Sequence, residues 1–398
     1  MRQAHDGELA AWLRFSLTPA GPRQQRKLLA TFGLPGNIFA QSHGALASIV
    51  GGDIANALLA GPDPAIVDAA LAWAGEDDNH ILTLADAAYP QTLLEIADPP
   101  PVLYVKGDPA LPGRPALAMV GSRTATAQGE TDAEAFAHAL GAAGLTIISG
   151  LALGIDAAAH RGALAAGEGR TIAVIGTGID RIYPASNAAL AREIAAHGAI
   201  VSEFPLGMPP LRQNFPRRNR LIAGLSLGVL VVEAALDSGS LITARLASEA
   251  GREVFAIPGS IHSPLARGCH RLIREGAKLV ETAEDVFEEL RGSLGDSLPQ
   301  QAGIPKQPVS PSPRRSSAAR SVAASASTLP LPLENIAPEA AHILEALADE
   351  ARDIDSLALA TGFTVETLYT HLLTLELEGA IVRQAGGGFA RLHALRVS

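Results

Sequence analysis

Four arginines and one phenylalanine fall within nine residues of this chain, Arg212-Gln213-Asn214-Phe215-Pro216-Arg217-Arg218-Asn219-Arg220. Guanidinium groups pair with phosphate oxygens through forked donors. An aromatic ring among them can stack an unpaired base, worth ~1–3 kcal/mol per base. Cations interleaved with a ring suit a single strand, whose bases are available for stacking. The alternative is a solvated face or an internal ion-pair cluster. Concentration of the basic run within an acidic chain favours binding.

Three glycine-rich turns follow three apolar runs. Gly121-Ser122-Arg123 follows Leu117–Val120. Ser149-Gly150 opens a second turn that runs to Asp156, and Gly176-Thr177-Gly178 opens a third that runs on to Tyr183. Ser238-Gly239-Ser240 opens a helix after a further run that ends in Glu233. Backbone N–H groups at such starts favour anions. Any one turn alone reads as a tight strand-to-helix connection. Repeated along one sheet edge, the turns could hold successive phosphates. The acidic residues near Ser238 would repel phosphate, so they are expected to orient arginines. Neither a full G-x-G-x-x-G nor a P-loop is present.

Catalytic and metal signatures are missing. There is no H-E-x-x-H, no paired cysteine and no G-x-S-x-G. Asp156 and His160 share a helical face, but no nucleophile stands beside them, so a structural role is expected. Cys269 and His270 are adjacent and point in different directions on a helix, so Cys269 reads as a small buried residue. No catalytic residue, metal or cofactor is expected.

The elements that must position these residues fall into four zones. Residues 1–80 read as short helices broken by Gly and Pro (7–16, 22–31, 44–50, 53–59 and 63–73), with a turn at Phe32–Gly36. Such modules resemble SAM-like or helix-hairpin-helix domains. Residues 81–292 alternate strands with helices. Candidate strands are 81–84, 103–106, 117–120, 146–149, 171–174, 199–202, 228–232 and 253–256. That alternation implies βαβ units and an α/β, Rossmann-like parallel sheet, which binds ligands at the carboxyl ends of its strands. Residues 293–333 are rich in Ser, Pro and Ala and read as a flexible linker. Residues 334–398 read as three helices and a hairpin, the winged-helix order, with Val365–Glu378 as recognition helix. Its exposed face, with Glu366, Thr367, Thr370, His371 and Thr374, carries little positive charge. Direct DNA reading and protein contact both remain open for it.

The bulk numbers bound the rest. The 398 residues allow two or three domains, and 47% apolar against 18% charged residues implies a sizeable core. A net charge of −10 argues mildly against nucleic-acid binding, so any basic surface must be local. The single cysteine fits a reducing compartment, and neither a signal peptide nor a membrane span is apparent, so a cytoplasmic protein is expected.

The motifs together resemble the DNA-processing protein A family (DprA, also called Smf). The segments GSRTATAQG, SGLALGIDAAAHRGAL, GTGIDRIYP, FPRRNRLIAGLS, EAALDSGSLITARLASEAGREVFAIPGS and GCHRLIREGAKLV stand in that family's order. The upstream YPQTLLEIADPPPVLYVKGDP resembles its entry segment. The resemblance implies a homodimer that binds single-stranded DNA, loads the recombinase RecA during natural transformation and helps displace single-strand-binding protein. It implies DNA contacts at Arg123, Arg212, Phe215, Arg217 and Arg220, flanked by Asn214 and Asn219, and a dimer surface at His270, Ile273 and Leu279.

Two competing readings remain. Rossmann-like phosphoribohydrolases use a glutamate after P-G-G-x-G-T, but Leu246 stands at that position here. A transcription regulator would read duplex DNA with its winged helix, and that helix has low basicity.

Overall fold

The computed structural model describes residues 2–167 and 170–294, and, toward the C-terminus, 338–347, 354–364, 367–368, 371–372, 375, 381–383 and 389–391. Two compact units divide the chain, Met1–Pro308 and Val309–Ser398.

The first unit is built on a nine-stranded sheet. In chain order its strands are β1 (Asn79–Thr83), β2 (Val102–Gly107), β3 (Ala116–Val120), β4 (Thr146–Ser149), β5 (Thr171–Val174), β6 (Ala199–Ser202), β7 (Gly228–Val231), β8 (Glu253–Ala256) and β9 (Lys278–Leu279). In space they run β1-β2-β6-β5-β4-β3-β7-β8-β9. All neighbours are parallel except β1–β2 and β2–β6. The eight strands expected from the apolar runs are all present. The antiparallel margin formed by β1, β2 and β6 departs from a purely parallel sheet, and the two-residue parallel strand β9 is an addition to the expected eight. A strand as short as β9, with both residues exposed, leaves no apolar run to read.

Strand periodicity assigns the two faces. Leu117 and Met119 of β3 pack beneath the helices Ala127–Ala142 and Ile155–Ala165, among Ala133, Ala137 and Leu140. Ala118 and Val120, one residue out of phase, face the opposite core with Leu221, Ile222, Ala244 and Ala247 of Asn214–Gly224 and Gly239–Glu249. Both faces are covered, so β3–β7 are buried along their whole length.

Six helices precede the sheet: Arg2–Ser16, Pro22–Phe32, Pro35–Phe39, His43–Val50, Gly52–Ala60 and Pro64–Ala74. The segment read as a turn also starts a short helix. Gly33, at φ +79°, ends one helix and Pro35 opens the next in its first turn. These helices share a core with the sheet. Trp12, Leu13, Phe15, Leu28 and Leu46 lie in one cluster with Val102, Tyr104, Ala173 and Ile200, and Trp73 meets Tyr104 edge-on at 5.7 Å.

In the second unit, the helices Pro338–Leu347 and Ile354–Thr361 and the antiparallel strands Ile381–Arg383 and Phe389–Arg391 share a core of Ile343, Leu347, Leu357, Leu368, Leu372 and Phe389. This is a winged-helix arrangement. Much of Val365–Glu378, including Glu366, Thr370 and Thr374, lies outside the described residues, as do the glycine turn 386–388 and residues 295–333 of the linker.

Because the N-terminal helices and the sheet share one core, they are expected to unfold together. Leu13→Ala, at a fully buried position, should remove ~2–5 kcal/mol. In calorimetry it should lower the midpoint of the sheet's own transition. A separate early transition for the helices, with the main one unmoved, would contradict this.

Candidate nucleic-acid interface

The chain leaves β3 in one direction to build β4, β5 and β6, and returns to lay β7 on its other side. That reversal opens a crevice at the carboxyl ends of β3 and β7, the usual ligand site of such sheets. The turns after β3, β4, β5, β6 and β7 all reach this edge, and with them the motifs singled out in the sequence.

The glycine turns are bound chiefly to one another. Gly154 has φ +69°, and a Cβ there would overlap the Ser122 carbonyl oxygen. A Cβ at Gly150 would overlap the Arg218 guanidinium. The Gly150 and Ala152 amides both donate to Asp156 Oδ2, at 3.1 and 3.2 Å. Between them Leu151 holds φ +61°, a strained setting for a branched side chain. Asn187 secures it by donating to the Leu151 and Ala152 carbonyls at 2.9 and 3.1 Å. The Gly178 amide donates to Met208 O at 3.0 Å, and Ser149 Oγ to Met119 O at 2.7 Å. Thr177 Oγ1 donates to Arg181 O at 2.5 Å, and Asn214 Nδ2 to Gly176 O at 3.1 Å. Donors expected to face phosphate at Ser149, Gly150, Thr177, Gly178 and Asn214 therefore serve the edge itself. Ser122 Oγ accepts from Thr124 N, Ser238 Oγ accepts from Ser240 N, and Asn219 Nδ2 reaches Gly239 O at 3.4 Å. Gly121 closes on Ile155 and the Glu233 carbonyl.

A buried charge cluster lies under these turns. Arg218 is 4% exposed and donates from Nη1 to Val174 O at 2.6 Å. Burial lowers its pKa to about 10, Asp156 opposes that fall, and Arg123 adds to it. Burial also raises the Asp156 pKa, against the pull of Arg218 and the two amides. Fully buried His160 meets Thr171 Oγ1 at 2.6 Å, and desolvation, with Arg218 nearby, drops it to about 3. Asp156 and His160 thus have the structural place expected of them. Cys269 is buried too, its pKa raised to about 11 by desolvation.

The arginines of the basic segment divide. In the helix Asn214–Gly224, Asn214, Arg218, Leu221 and Ile222 form the inward face. Arg220 is also withdrawn. Its side chain is 11% exposed, paired with buried Glu203 and with Asp98 Oδ2 at 3.3 Å. The expected DNA contact at Arg220 is thus an internal bridge. Arg217 keeps 57% of its side chain exposed while reaching Glu203 at 3.0 Å, and it lies 5.4 Å over the Phe204 ring. Arg212 and Arg123 are exposed. Arg123 stands 5.8 Å over half-buried Phe215, whose ring meets Tyr183 at 5.7 Å. Glu203 is the carboxylate shared by Arg217 and Arg220. Glu233, one of the acidic residues expected from the sequence to orient arginines, instead accepts Thr126 N and Oγ1 at 2.9 and 2.6 Å and so holds the N-cap residue of the helix Ala127–Ala142. Glu203 sits directly after β6, and its strand-end position was the available signal.

At the other margin, His270 and Ile273 are half-buried and Leu279 is 43% exposed on the edge strand β9. They line a concave surface with Leu236, Pro258 and Arg274. Among the described residues, no His, Cys, Asp and Glu side chains group to hold a metal ion, and no helix is long and apolar enough to cross a membrane.

Fold and edge together define a Rossmann-like α/β protein with exposed guanidinium groups at its strand tips and a winged helix behind it in sequence. Comparison with known proteins makes this specific. The chain belongs to the DNA recombination-mediator protein A family, whose model matches residues 80–291, and a DprA winged helix model matches residues 319–387. Protein Smf of Escherichia coli (strain K12) is 42% identical over 330 residues, which is 82% of this chain and 81% of that protein. DNA processing protein DprA of Streptococcus pneumoniae (strain ATCC BAA-255 / R6) is 50% identical over 222 residues, 54% of this chain and 78% of that protein. The X-ray structure of DprA from Streptococcus pneumoniae matches with a TM-score of 0.62 at 41% identity, covering 71% of this chain and 97% of that chain. Membership makes this a DNA-processing protein with a recombination-mediator role.

The buried groups set two measurable expectations. His160 stays neutral in the folded chain down to about pH 3, whereas its ordinary pKa is 6.5. Protons therefore favour the unfolded chain as pH falls below 6.5, and the stability tied to a neutral His160 is complete only above it. Relative to His160→Gln, the wild-type chain should lose ~1.4 kcal/mol of unfolding free energy per pH unit between about pH 6 and about pH 4 in urea titrations, and parallel curves would contradict this. Separately, Arg220→Ala should cost ~3–5 kcal/mol by stripping a partner from buried Glu203, and Arg217→Ala under ~1 kcal/mol. Equal losses in denaturant unfolding would refute the division of roles.

Proposed function

We propose that this chain binds single-stranded DNA along the carboxyl edge of its sheet, and acts by binding rather than by catalysis. Arg123, Arg212 and Arg217 are the phosphate contacts of this reading. The supporting observation is that these guanidinium groups are exposed on one strand-tip edge beside the Phe215–Tyr183 pair, on a chain whose net charge is −10. Side-chain cations there attract the backbone, and rings are at hand for unpaired bases. Gly121, Ser122, Gly176, Ser238, Gly239 and Ser240 belong to the same edge. The phosphoribohydrolase reading is disfavoured, since Leu246 packs against the core where that chemistry needs a glutamate.

The family resemblance supports a finer reading. In it the chain works as a homodimer through the surface of His270, Ile273 and Leu279, loads RecA onto incoming strands during natural transformation, and helps displace single-strand-binding protein. The apolar exposure of Leu236 and Leu279 on that surface suits a protein partner.

The test is anisotropy titration of labelled oligo-dT and of a duplex of equal length across a salt series. The wild-type chain should prefer oligo-dT. Replacing Arg123, Arg212 and Arg217 with alanine should weaken binding and flatten the log–log salt slope by ~0.7 for each phosphate no longer neutralised. Duplex preference, or a triple variant with unchanged affinity and slope, would sink the proposal. Assembly of RecA on strands covered by single-strand-binding protein, with and without this chain, tests the mediator step.

A further inference from the structure

Tyr183 is the more open ring of the Phe215–Tyr183 pair. It is 49% exposed, and no other phenylalanine, tyrosine or tryptophan among the described residues is as open. An exposed ring normally gains little from a fixed position, yet this one is held. Its loop, which follows β5, is tied by Thr177 Oγ1 to the Arg181 carbonyl. Asp180 accepts the Gly207 amide at 2.9 Å, and Asn187 binds the turn after β4. The Tyr183 ring then meets Phe215 at 5.7 Å with a 47° tilt.

Phe215 itself has little free area. Its ring lies on Gly176, where a Cβ would come within 3.0 Å of it. Arg123 stands on it and Tyr183 flanks it. The two rings touch, which leaves no gap for a base between them. The open aromatic surface of the pair is therefore carried by Tyr183. Leu153, 46% exposed, and Leu211, 41% exposed, project from the turns after β4 and β6 and extend apolar area along the same edge.

We propose that Tyr183 is the outer ring of the DNA site, on which an unpaired base stacks while Phe215 backs it and Arg123 holds a neighbouring phosphate. The inference rests on the single-strand reading above and assigns it a residue that basic-motif reasoning does not reach. A ring pinned by its loop loses little freedom on binding, so most of its stacking energy is kept.

The experiment compares wild type, Tyr183→Leu and Tyr183→Phe by anisotropy, with labelled oligo-dT and an abasic strand of equal length. Tyr183→Leu should weaken oligo-dT binding roughly 5- to 150-fold, the equivalent of ~1–3 kcal/mol for one stacked base. Its salt slope should not change, and its affinity for the abasic strand should match wild type. Tyr183→Phe should bind oligo-dT like wild type. A Tyr183→Leu variant that binds oligo-dT as wild type does, or that is weakened equally on the abasic strand, overturns this inference alone. A wild-type chain that fails to bind oligo-dT overturns it together with the single-strand reading.

Discussion

A cation sealed beneath the strand tips governs this edge. Arg218 is almost wholly buried, and taking a charge out of water is expensive unless partners replace the solvent. The Val174 carbonyl accepts a hydrogen bond from it, and Asp156 sets an opposing charge beside it. Asp156 in turn collects the Gly150 and Ala152 amides and so shapes the turn after β4. Gly150 has to be a glycine because the guanidinium occupies the space a side chain would fill. The strained Leu151 persists because groups on both sides fix its position. The turns form a stiff floor, and the groups that can reach outward are the long side chains standing on it.

Glu203 performs the complementary sorting. One carboxylate, 2% exposed as a side chain, holds Arg220 inside and steadies Arg217 at the surface. Two arginines three residues apart thus take different jobs. An acidic chain can in this way present exposed guanidinium groups at this edge, where Glu203 is taken up by Arg217 and Arg220, Asp180 by the Gly207 amide and Glu233 by Thr126. Field at a surface depends on arrangement more than on totals.

Much of this is legible in the amino-acid sequence. Continuous apolar runs mark β3–β7, because strands buried on both faces leave unbroken hydrophobic signatures. The glycine turns are visible as positions at the sheet edge, but their purpose is not. A phosphate-facing amide and one bonded to Asp156 leave the same letters. The burial of Arg218 has a signal in its spacing from Asn214, Leu221 and Ile222 along one helical face, which the charge of the run obscures. The Arg220 bridge depends on Asp98 and Glu203, brought close only by the tertiary fold. Short β9 and the antiparallel margin are hidden because two-residue strands and edge direction leave no periodic trace.

The core shared by the leading helices and the sheet has a consequence for synthesis. Trp12 and Leu13 leave the ribosome long before Ile200, with which they are finally clustered. At translation speeds of about 5–20 residues per second, that delay is roughly 10–40 s. Until Val102 and Tyr104 of β2 are made, the nascent helices have chiefly one another, and Leu28, Ile38 and Leu46 provide an interim refuge for their oily flank. A segment made early is thus among the last to reach its finished surroundings, and a mutation there acts on the newborn chain as well as on the mature one.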